Sequence, residues 1–346
     1  MKVGLVGFAG SGKTTVFNTM TGLDVPVGFG GEVRLGRVSV PDSRIDRLSR
    51  IFRPRKTTYA EITFCDIPGE YGSDHHGISR KALQQIRDQE ALCLVVRDFE
   101  NPALEREPDA AADLEAFHAE CVLADLEIVE RRIERARKEK ADPLETAAFE
   151  RMRVALETGE PVRSIPASEL NRDFVRGYGL LTDRPLLVAL NRREADAAAG
   201  VPPELAERVE ALGAACLALS ASVEAEIAAL DPADQAAFLE DLGLEAAALA
   251  RFIRTAYALL DLVSFFTVGE DEVRAWTIRR GTRARKAAGR IHSDLERGFI
   301  RAEVIPYDVF MQYGTENGVK EAGKLQVEGK DYVVQDGDIM SVRFNV

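Results

Sequence analysis

The sequence has no apolar run long enough to cross a membrane, and its first residues show no signal-peptide pattern, because Lys2 leads straight into an apolar segment. Cysteine is also scarce. The four cysteines are scattered and lie mostly in apolar segments, at Cys65, Cys93, Cys121 and Cys216. We therefore expect buried thiols rather than disulfides or a zinc site. These absences predict a cytoplasmic protein without a membrane partner.

The chain also has little positive charge for its size. Its 57 acidic residues outnumber 45 lysines and arginines, and the formal net charge is −12. A protein with this charge does not attract nucleic acid over its whole surface, so we expect no DNA partner, and any RNA contact must use a local basic patch. Apolar and charged contents of 46% and 29% are typical of a soluble protein, and 346 residues can form two or three domains.

Residues 7–14 read G-F-A-G-S-G-K-T and fit the pattern of a phosphate-binding P-loop, G-x-x-x-x-G-K-[ST]. The apolar segment before them predicts a buried strand, and residues 15–20 can continue as a helix. Glycines allow backbone N–H groups to close around a β-phosphate, and the helix N-terminus adds its positive dipole end. Because strand and helix flank the pattern, we prefer a nucleotide site to a glycine-rich turn that matches by chance.

The side chains at this site are suited to a nucleotide with Mg²⁺. Lys13 is predicted to neutralise the charge of the β- and γ-phosphates, and the Thr14 hydroxyl is predicted to ligate Mg²⁺. Residues 66–69 read D-I-P-G after an apolar strand and fit D-x-x-G, in which Asp66 reaches Mg²⁺ through water and the Gly69 N–H senses the γ-phosphate. The residues predicted to bind the phosphates are Gly7, Ala9, Gly10, Ser11, Gly12, Lys13, Thr14, Thr15 and Gly69.

Two later motifs occupy the places where GTPases read the base. One apolar segment leads into Asn191 and Glu194, and a second leads into Ser220 and Ala221. GTPases carry N-K-x-D at the first place and S-A at the second. Four motifs thus occur in the expected order, each at an apolar strand. They predict an α/β domain with a parallel sheet and the nucleotide at the carboxyl ends of its strands.

A long helix is predicted from Asp113 onward, because apolar residues at positions 122, 126, 129 and 133 follow coiled-coil spacing. Asp142 and Pro143 can start a second helix, with Glu145 completing a capping box. The result is an antiparallel helical hairpin with a basic tip at residues 131–140. Such a tip fits a solvated helix end, which the macrodipole favours, and it fits a partner-binding surface equally well.

The C-terminal part of the chain has the pattern of a small separate module. Residues 263–268 and 273–278 predict two strands around a turn, and residues 287–295 predict a short helix. Residues 331–338 predict a strand with a turn, followed by a closing strand at 339–346. Two paired strands, a helix and late strands predict an α+β fold for this module.

Several stretches together resemble the YchF-type branch of the Obg-related P-loop NTPases, the Obg-like ATPases. The matching stretches are residues 40–48, 66–69, 123–127, 266–269, 272–278, 288–292, 298–304 and 329–339. The resemblance implies a P-loop G domain at 1–112 and 185–262, an inserted α-helical coiled-coil hairpin at 113–184, and a TGS domain, a ubiquitin-like β-grasp module, at 263–346. It also implies a role on the ribosome or in translation.

The resemblance bears on the choice of base. The family replaces N-K-x-D by N-x-x-E and prefers ATP to GTP, and Asn191 and Glu194 match that form. The Asp of N-K-x-D accepts hydrogen bonds from guanine N1–H and the 2-amino group. Adenine offers neither donor, and a longer Glu is misplaced for this contact. We therefore expect ATP, while GTP stays an alternative because Asn191, Ser220 and Ala221 are retained.

Three positions depart from the family pattern. Gly10 stands where the family usually has an Asn tied to potassium use, and the place of the Mg²⁺-binding Thr of the first switch falls at Gly30. After D-x-x-G the family has a hydrophobic residue, whereas this chain has Glu70, followed by a histidine pair that begins at His75. Glu70 or His75 could orient water for hydrolysis, with Lys13 as a further catalytic residue, or this segment could be an exposed loop without a catalytic role.

Three functions fit the sequence: a slow Mg²⁺-dependent ATPase that acts as a switch on the ribosome, a non-catalytic nucleotide-binding adaptor on ribosome or RNA, and a GTPase. A basic stretch without acidic residues favours a structured RNA partner, because exposed cations suit phosphate backbones. Its cations are Arg274, Arg279, Arg280, Arg283, Arg285, Lys286 and Arg290. A solvated basic loop that balances the acidic remainder is the alternative.

Overall fold

The computed structural model describes residues 2–26, 33–68, 78–244 and 246–345, with the backbone alone at positions 232 and 233. Five residues that the sequence analysis singled out lie outside this described part of the chain. They are Gly30, Gly69, Glu70, His75 and His76. Their roles stay predictions.

The described residues divide into two compact units. The first comprises Met1–Val38 and Thr63–Leu259, and the second comprises Ser39–Ile62 and Leu260–Val346. The strands are, in chain order, β1 (Lys2–Val6), β2 (Arg34–Ser39), β3 (Lys56–Thr58), β4 (Glu61–Asp66), β5 (Ala91–Asp98), β6 (Leu186–Arg192), β7 (Ala215–Leu219), β8 (Leu262–Thr267), β9 (Glu272–Arg279), β10 (Phe299–Pro306), β11 (Gln326–Glu328) and β12 (Asp338–Phe344).

The described α-helices range in length from five to 30 residues. In chain order they are α1 (Lys13–Thr21), α2 (Ser43–Phe52), α3 (Arg80–Arg87), α4 (Ala110–Glu139), α5 (Pro143–Glu157), α6 (Pro203–Ala211), α7 (Ala221–Ala229), α8 (Pro232–Asp241), α9 (Ala248–Leu259), α10 (Ala284–Ile291), α11 (Ser293–Arg297), α12 (Tyr307–Tyr313) and α13 (Glu316–Glu321). Short 3₁₀ turns lie at Val162–Ser164, Arg172–Phe174 and Glu194–Asp196. Among the described helices, none is long and apolar enough to cross a membrane.

The first sheet has the strand order β2-β4-β1-β5-β6-β7, and the pairs from β4 to β7 are parallel. Strands β5 and β6 are apolar and buried along almost their whole length. Continuous apolar strands of this kind are typical of parallel sheets that helices cover on both faces. Parallel strands also bring their carboxyl ends to one edge, where the four motifs lie. The predicted α/β class with a parallel sheet is confirmed.

The helical hairpin consists of α4 and α5. Val129 and Ile133 of its predicted seam are buried against Phe149 and Met152 of the second helix. Asp142 caps α5 as predicted, by accepting a hydrogen bond from the Leu144 N–H at 2.8 Å. The predicted start at Asp113 is three residues late, because Asp109 caps α4. Glu145 differs from its predicted capping role, since its carboxylate binds the Arg132 guanidinium.

The second sheet is mixed, with the strand order β11-β10-β12-β8-β9-β3. The predicted hairpin is confirmed as the antiparallel pair of β8 and β9. The strand predicted within residues 331–338 is replaced by a turn with one isolated bridge, between Val333 and Arg283. Buried Asp338 stabilises this turn, because its carboxylate accepts hydrogen bonds from the Tyr332 hydroxyl at 2.9 Å and the Gln335 N–H at 2.8 Å.

Residues 39–62 belong to the second unit together with residues 260–346, which are hereafter called the C-terminal unit. The sequence analysis placed residues 39–62 inside the nucleotide-binding domain at 1–112. Two contacts explain the difference. Strand β3 pairs in parallel with β9 and adds a sixth strand to the second sheet. At the end of α2, the ring of Phe52 stacks on the ring of Phe310, with centroids 5.4 Å apart.

Candidate functional site

The predicted P-loop forms the turn between β1 and α1. Gly7, Ala9, Gly10 and Ser11 lie in this turn, and Gly12 is the N-cap of α1 with a left-handed φ of 85°. A Cβ on Gly12 would lie 2.2 Å from the Asn191 side-chain nitrogen, so only glycine fits there. The first turn of α1 contains Lys13, Thr14 and Thr15, which places its helix N-terminus at the turn.

Lys13 is a buried cation. Its side chain is 7% exposed, and its Nζ donates a hydrogen bond to the Phe8 carbonyl at 3.4 Å. Burial lowers the pKa of Lys13 to about 8, and the nearby Asp66 carboxylate partly opposes this shift. A desolvated ammonium that has one long hydrogen bond to the described residues gains strongly from an anion, because charge-assisted hydrogen bonds are the stronger ones.

Thr14 and Asp66 meet at the carboxyl end of β4. The Thr14 hydroxyl donates to Asp66 Oδ2 at 3.1 Å, and Arg34 Nη1 lies 4.0 Å from the same oxygen. Burial raises the pKa of Asp66, while Lys13, Thr14 and Arg34 oppose the shift. Asp66 Oδ1 is buried and has no hydrogen-bond partner among the described residues. An unsatisfied carboxylate oxygen beside a hydroxyl is a donor set that fits a hard cation.

These two oxygen donors fit Mg²⁺ rather than a metal held by protein ligands alone. The described ranges contain no group of three or more His, Cys, Asp or Glu residues that could hold a metal ion. Mg²⁺ needs no such group, since it is commonly bound by one or two protein ligands together with substrate phosphates and waters. Thr14 and Asp66 are therefore the residues that would hold it.

Asn191 connects two of the predicted motifs. It is buried at the end of β6, and its Nδ2 donates to the Ser11 carbonyl at 3.1 Å. Its Oδ1 accepts a hydrogen bond from the Ala221 N–H, also at 3.1 Å. The side chain thereby joins the P-loop to the segment that begins α7. Ser220, the N-cap of α7, is buried beside it.

Arg192 and Glu194, the other two residues discussed from the N-x-x-E motif, form no hydrogen bond or ion pair with the P-loop in the described part of the chain. Arg192 stands where the guanine motif has Lys, and its Nε donates to Asp98 Oδ2 at 2.9 Å while Nη1 donates to the Gly200 carbonyl at 2.8 Å. Glu194 is exposed at the start of a 3₁₀ turn. The structure thus brings Asn191, Ser220 and Ala221 to the P-loop, whereas Arg192 is held by the carboxylate of Asp98, the last residue of β5.

Sequence reasoning missed the loop that follows β5. Asn101 in this loop donates from Nδ2 to the Gly10 carbonyl at 3.3 Å. Phe99 Cζ lies 3.9 Å from the position that a Cβ on Gly12 would occupy. No sequence motif marks this loop, and the local signal was Arg97, a charged residue directly after the six apolar residues of β5.

About half of the cations of the two basic segments are paired with acids. In the hairpin tip, Arg131, Arg132 and Arg137 contact Glu127, Glu145 and Glu150, respectively. In the C-terminal unit, the pairs are Arg280–Asp261, Arg283–Asp331 and Lys286–Glu296. The exposed cations without an ion pair to a described residue are Arg135, Lys138, Lys140, Arg279, Arg285 and Arg290. The predicted basic surface is therefore smaller than its sequence suggests.

Comparison with known proteins gives concordant results for both parts of the chain. A family model described as a 50S ribosome-binding GTPase matches residues 2–129. A model for the C-terminal part of YchF GTPases, described as a protein of unknown function (DUF933), matches residues 262–345.

Individual relatives match over their full length. The protein named ribosome-binding ATPase YchF from Haemophilus ducreyi is 40% identical over 361 residues, which cover 100% of this chain and 99% of that protein. Its namesake from Bacillus subtilis is 37% identical and covered completely. A solved structure of the Schizosaccharomyces pombe YchF GTPase is similar with a TM-score of 0.87 at 30% identity, over 99% of this chain and 97% of that one. With full-length relatives at this identity, and with the P-loop and its partner motifs assembled at one sheet edge, the chain belongs to the YchF family of P-loop NTPases.

Proposed function

We propose that this protein binds ATP together with Mg²⁺, hydrolyses it slowly, and acts as a nucleotide-dependent switch on the ribosome. The observation that carries the proposal is the convergence of Lys13, Thr14 and Asp66 at the start of α1. A buried cation, a hydroxyl and an unsatisfied carboxylate oxygen lie together where a helix N-terminus favours phosphate. The names of the full-length relatives, which are ribosome-binding ATPases, support the same reading.

The residues divide into groups by the part of the nucleotide that each would bind. The turn from Gly7 to Thr15 would surround the phosphates with backbone N–H groups, and Lys13 would neutralise the β- and γ-phosphates. Thr14 and Asp66 would hold Mg²⁺, which lowers the charge repulsion between these phosphates when it is bound. Asn191, Glu194, Ser220 and Ala221 would border the base.

Adenine is the proposed base because of the contacts around Glu194. This carboxylate is exposed, and it is one methylene longer than the guanine-reading Asp. The neighbouring Arg192 is committed to Asp98 and the Gly200 carbonyl. Without the bidentate carboxylate contact, the site loses its main means of selecting guanine over adenine.

Hydrolysis needs a group that orients water in addition to the phosphate-binding residues. Lys13, Thr14 and Asp66 support it, since they are the groups that stabilise charge in phosphoryl transfer. Glu70 and His75 are the proposed water-orienting residues, on the sequence alone. A non-catalytic adaptor would keep the binding residues and lack only this last function.

One set of measurements separates the candidate functions. Calorimetry gives the affinities for ATP and GTP with and without Mg²⁺, and a phosphate-release assay gives turnover with and without ribosomes. The proposal predicts tighter ATP binding that depends on Mg²⁺, and slow release of phosphate. Preference for GTP would identify a GTPase, and tight binding without phosphate release would identify an adaptor.

A further inference from the structure

Arg97 is a buried arginine that the proposed chemistry does not use. It is the seventh residue of the apolar strand β5, and it is 1% exposed. In the described part of the chain its hydrogen bonds go to two backbone carbonyls. Nη1 donates to the Phe99 carbonyl at 2.9 Å, and Nη2 donates to the Arg106 carbonyl. A planar guanidinium has its donors in fixed directions, so it holds the two ends of the segment 99–106 at a fixed separation.

A second contact anchors the far end of this segment. The Arg106 guanidinium binds the carboxylate of Asp113, which is buried in the first turn of α4. The same guanidinium lies over the ring of the P-loop residue Phe8, 5.8 Å from its centroid. Residues 99–106, hereafter the clamp, are therefore tied to a strand, to a helix and to the P-loop side chain.

The middle of the clamp rests on the backbone of the P-loop. Asn101 donates from Nδ2 to the Gly10 carbonyl at 3.3 Å, while its Oδ1 accepts from the Ala103 N–H at 3.1 Å. Leu104 also approaches Gly10, with Cδ1 2.6 Å from the position that a Cβ on Gly10 would take. Gly10 has a left-handed φ of 78°, so both its conformation and the close approach require glycine.

We propose that the clamp holds the P-loop in its phosphate-binding conformation before the nucleotide arrives, and that Asn101 is the positioning residue at the contact. The P-loop needs left-handed backbone at both Gly10 and Gly12 to aim its N–H groups at one point. Free peptide segments rarely hold such a conformation, and ordering the segment on binding would weaken affinity. Because the clamp already orders the P-loop in the nucleotide-free protein, binding does not need to order it, and affinity is not weakened. The inference rests on the proposed nucleotide binding of this same site.

The test uses full-length Asn101→Ser, compared with the parent and with Glu105→Gln. Serine is neutral and can still accept a hydrogen bond from the Ala103 N–H, but it is too short to reach the Gly10 carbonyl. Glu105→Gln changes an exposed residue of the same clamp. Calorimetry should show that Asn101→Ser weakens ADP and ATP binding alike, by about 5- to 10-fold, which corresponds to one lost hydrogen bond. Glu105→Gln should match the parent, and the melting temperature without nucleotide should be the same in all three.

Hydrogen exchange supplies a readout that loss of stability alone would not give. In the nucleotide-free protein, amides of residues 8–13 should exchange faster in Asn101→Ser, with the remaining amides unchanged. Parent-like affinity, or slow exchange at residues 8–13, would overturn the role of the clamp. If the parent itself binds neither nucleotide, the proposed function fails, while the exchange comparison still decides whether Asn101 orders the P-loop. If Lys13→Ala loses binding and Asn101→Ser does not, only the clamp fails.

Discussion

Arg44 and Asp336 lie 292 residues apart in the chain and form a two-point ion pair, with Nη1–Oδ2 and Nη2–Oδ1 distances of 2.8 and 3.3 Å. The Arg44 guanidinium also binds Asp42, the N-cap of α2, and lies over the ring of Phe266 at 5.2 Å from its centroid. One side chain thus holds the cap of α2, the turn before β12 and an aromatic ring of β8. These contacts attach residues 39–62 to the C-terminal unit.

Replacing Arg44 by Ala should therefore destabilise the second unit. We expect a loss of about 1–3 kcal/mol in its free energy of unfolding, because the pair is partly exposed but the cation–π contact and the guanidinium's bonds to Asp42 are lost with it. The single tryptophan, Trp276, lies in this unit, so its fluorescence reports this unfolding selectively. Arg44→Lys keeps the charge and should recover only part of the loss, since it cannot bind both carboxylates bidentately. Equal stability of all three proteins would contradict the assigned role.

Lys13→Ala should abolish tight nucleotide binding and leave the fold intact. The lowered pKa of Lys13 shows that its burial costs free energy in the absence of an anion, so removing the ammonium should not destabilise the nucleotide-free protein. The expected loss of ATP affinity is about 100-fold or more. Calorimetry measures the affinity, and a thermal melt without nucleotide provides the control. An unchanged affinity for ATP would refute the P-loop assignment.

ATP should bind more tightly than GTP, by about tenfold or more, because Glu194 replaces the carboxylate that reads guanine. Competition with unlabelled nucleotides measures the ratio. Glu194→Asp alone should not restore guanine binding, since Arg192 stays paired with Asp98. The matched test is the double variant Arg192→Lys with Glu194→Asp, which restores the residues of N-K-x-D at positions 191–194. A parent protein that prefers GTP would refute the adenine assignment.

The free energy of unfolding of the first unit should fall as the pH drops below the ordinary pKa of a histidine, because of His118. Burial lowers the pKa of His118 from its ordinary value of 6.5, and the hydrogen bond to the Gly159 carbonyl only partly opposes this. The native state therefore binds fewer protons than the unfolded state, so the free energy of unfolding decreases as the pH falls below about 6.5.

Urea unfolding at about pH 7.5 and pH 5.5 measures this effect. His118→Gln is the suitable comparison, because its amide can still donate to the Gly159 carbonyl but does not titrate. The variant should lose less stability than the parent between the two pH values. If both lose the same amount, other groups account for the pH dependence.

The P-loop and its partner motifs could be predicted from the sequence because their function depends on local spacing. Gly12, Lys13 and Thr14 occupy adjacent positions on a turn and a helix start, and such local geometry follows from residue type. The order of the motifs along the chain then predicted a parallel sheet. This inference needs only the rule that parallel strands end at one edge.

Contacts between distant residues could not be predicted in this way. The pairing of β3 with β9 joins segments about 216 residues apart, and no pattern within Lys56–Thr58 indicates its partner. Residues 332–334 are aromatic and β-branched and resemble a strand, yet Asp338 accepts hydrogen bonds from the Tyr332 hydroxyl and the Gln335 N–H, which favour a turn. The clamp could not be predicted either, because Arg97 binds backbone carbonyl groups. Every residue carries such a group, so no residue type marks the partners of Arg97.

The last prediction concerns the ribosome contact that we propose from the relatives' names and the local basic charge. In the C-terminal unit, Arg279 and Arg290 are exposed and have no ion pair with a described residue, whereas Arg280 and Arg283 are paired with Asp261 and Asp331. An unpaired cation can bind a phosphate without first giving up a carboxylate. We therefore expect the double variant Arg279→Ala with Arg290→Ala to weaken binding to ribosomes at low salt.

Co-sedimentation with ribosomes over a salt series measures both the affinity and its salt dependence. The slope of log K against log salt should become shallower by about 1 for each phosphate contact that is lost. The matched control, Arg280→Ala with Arg283→Ala, removes the same formal charge from the same segment, but from cations that are already paired with carboxylates. Because paired cations are less available to phosphates, this control should retain more of the binding than the first variant if specific phosphate contacts are made, and the same fraction if only net charge matters. Binding and slope equal to those of the parent in the first variant would show that this segment does not contact ribosomal RNA.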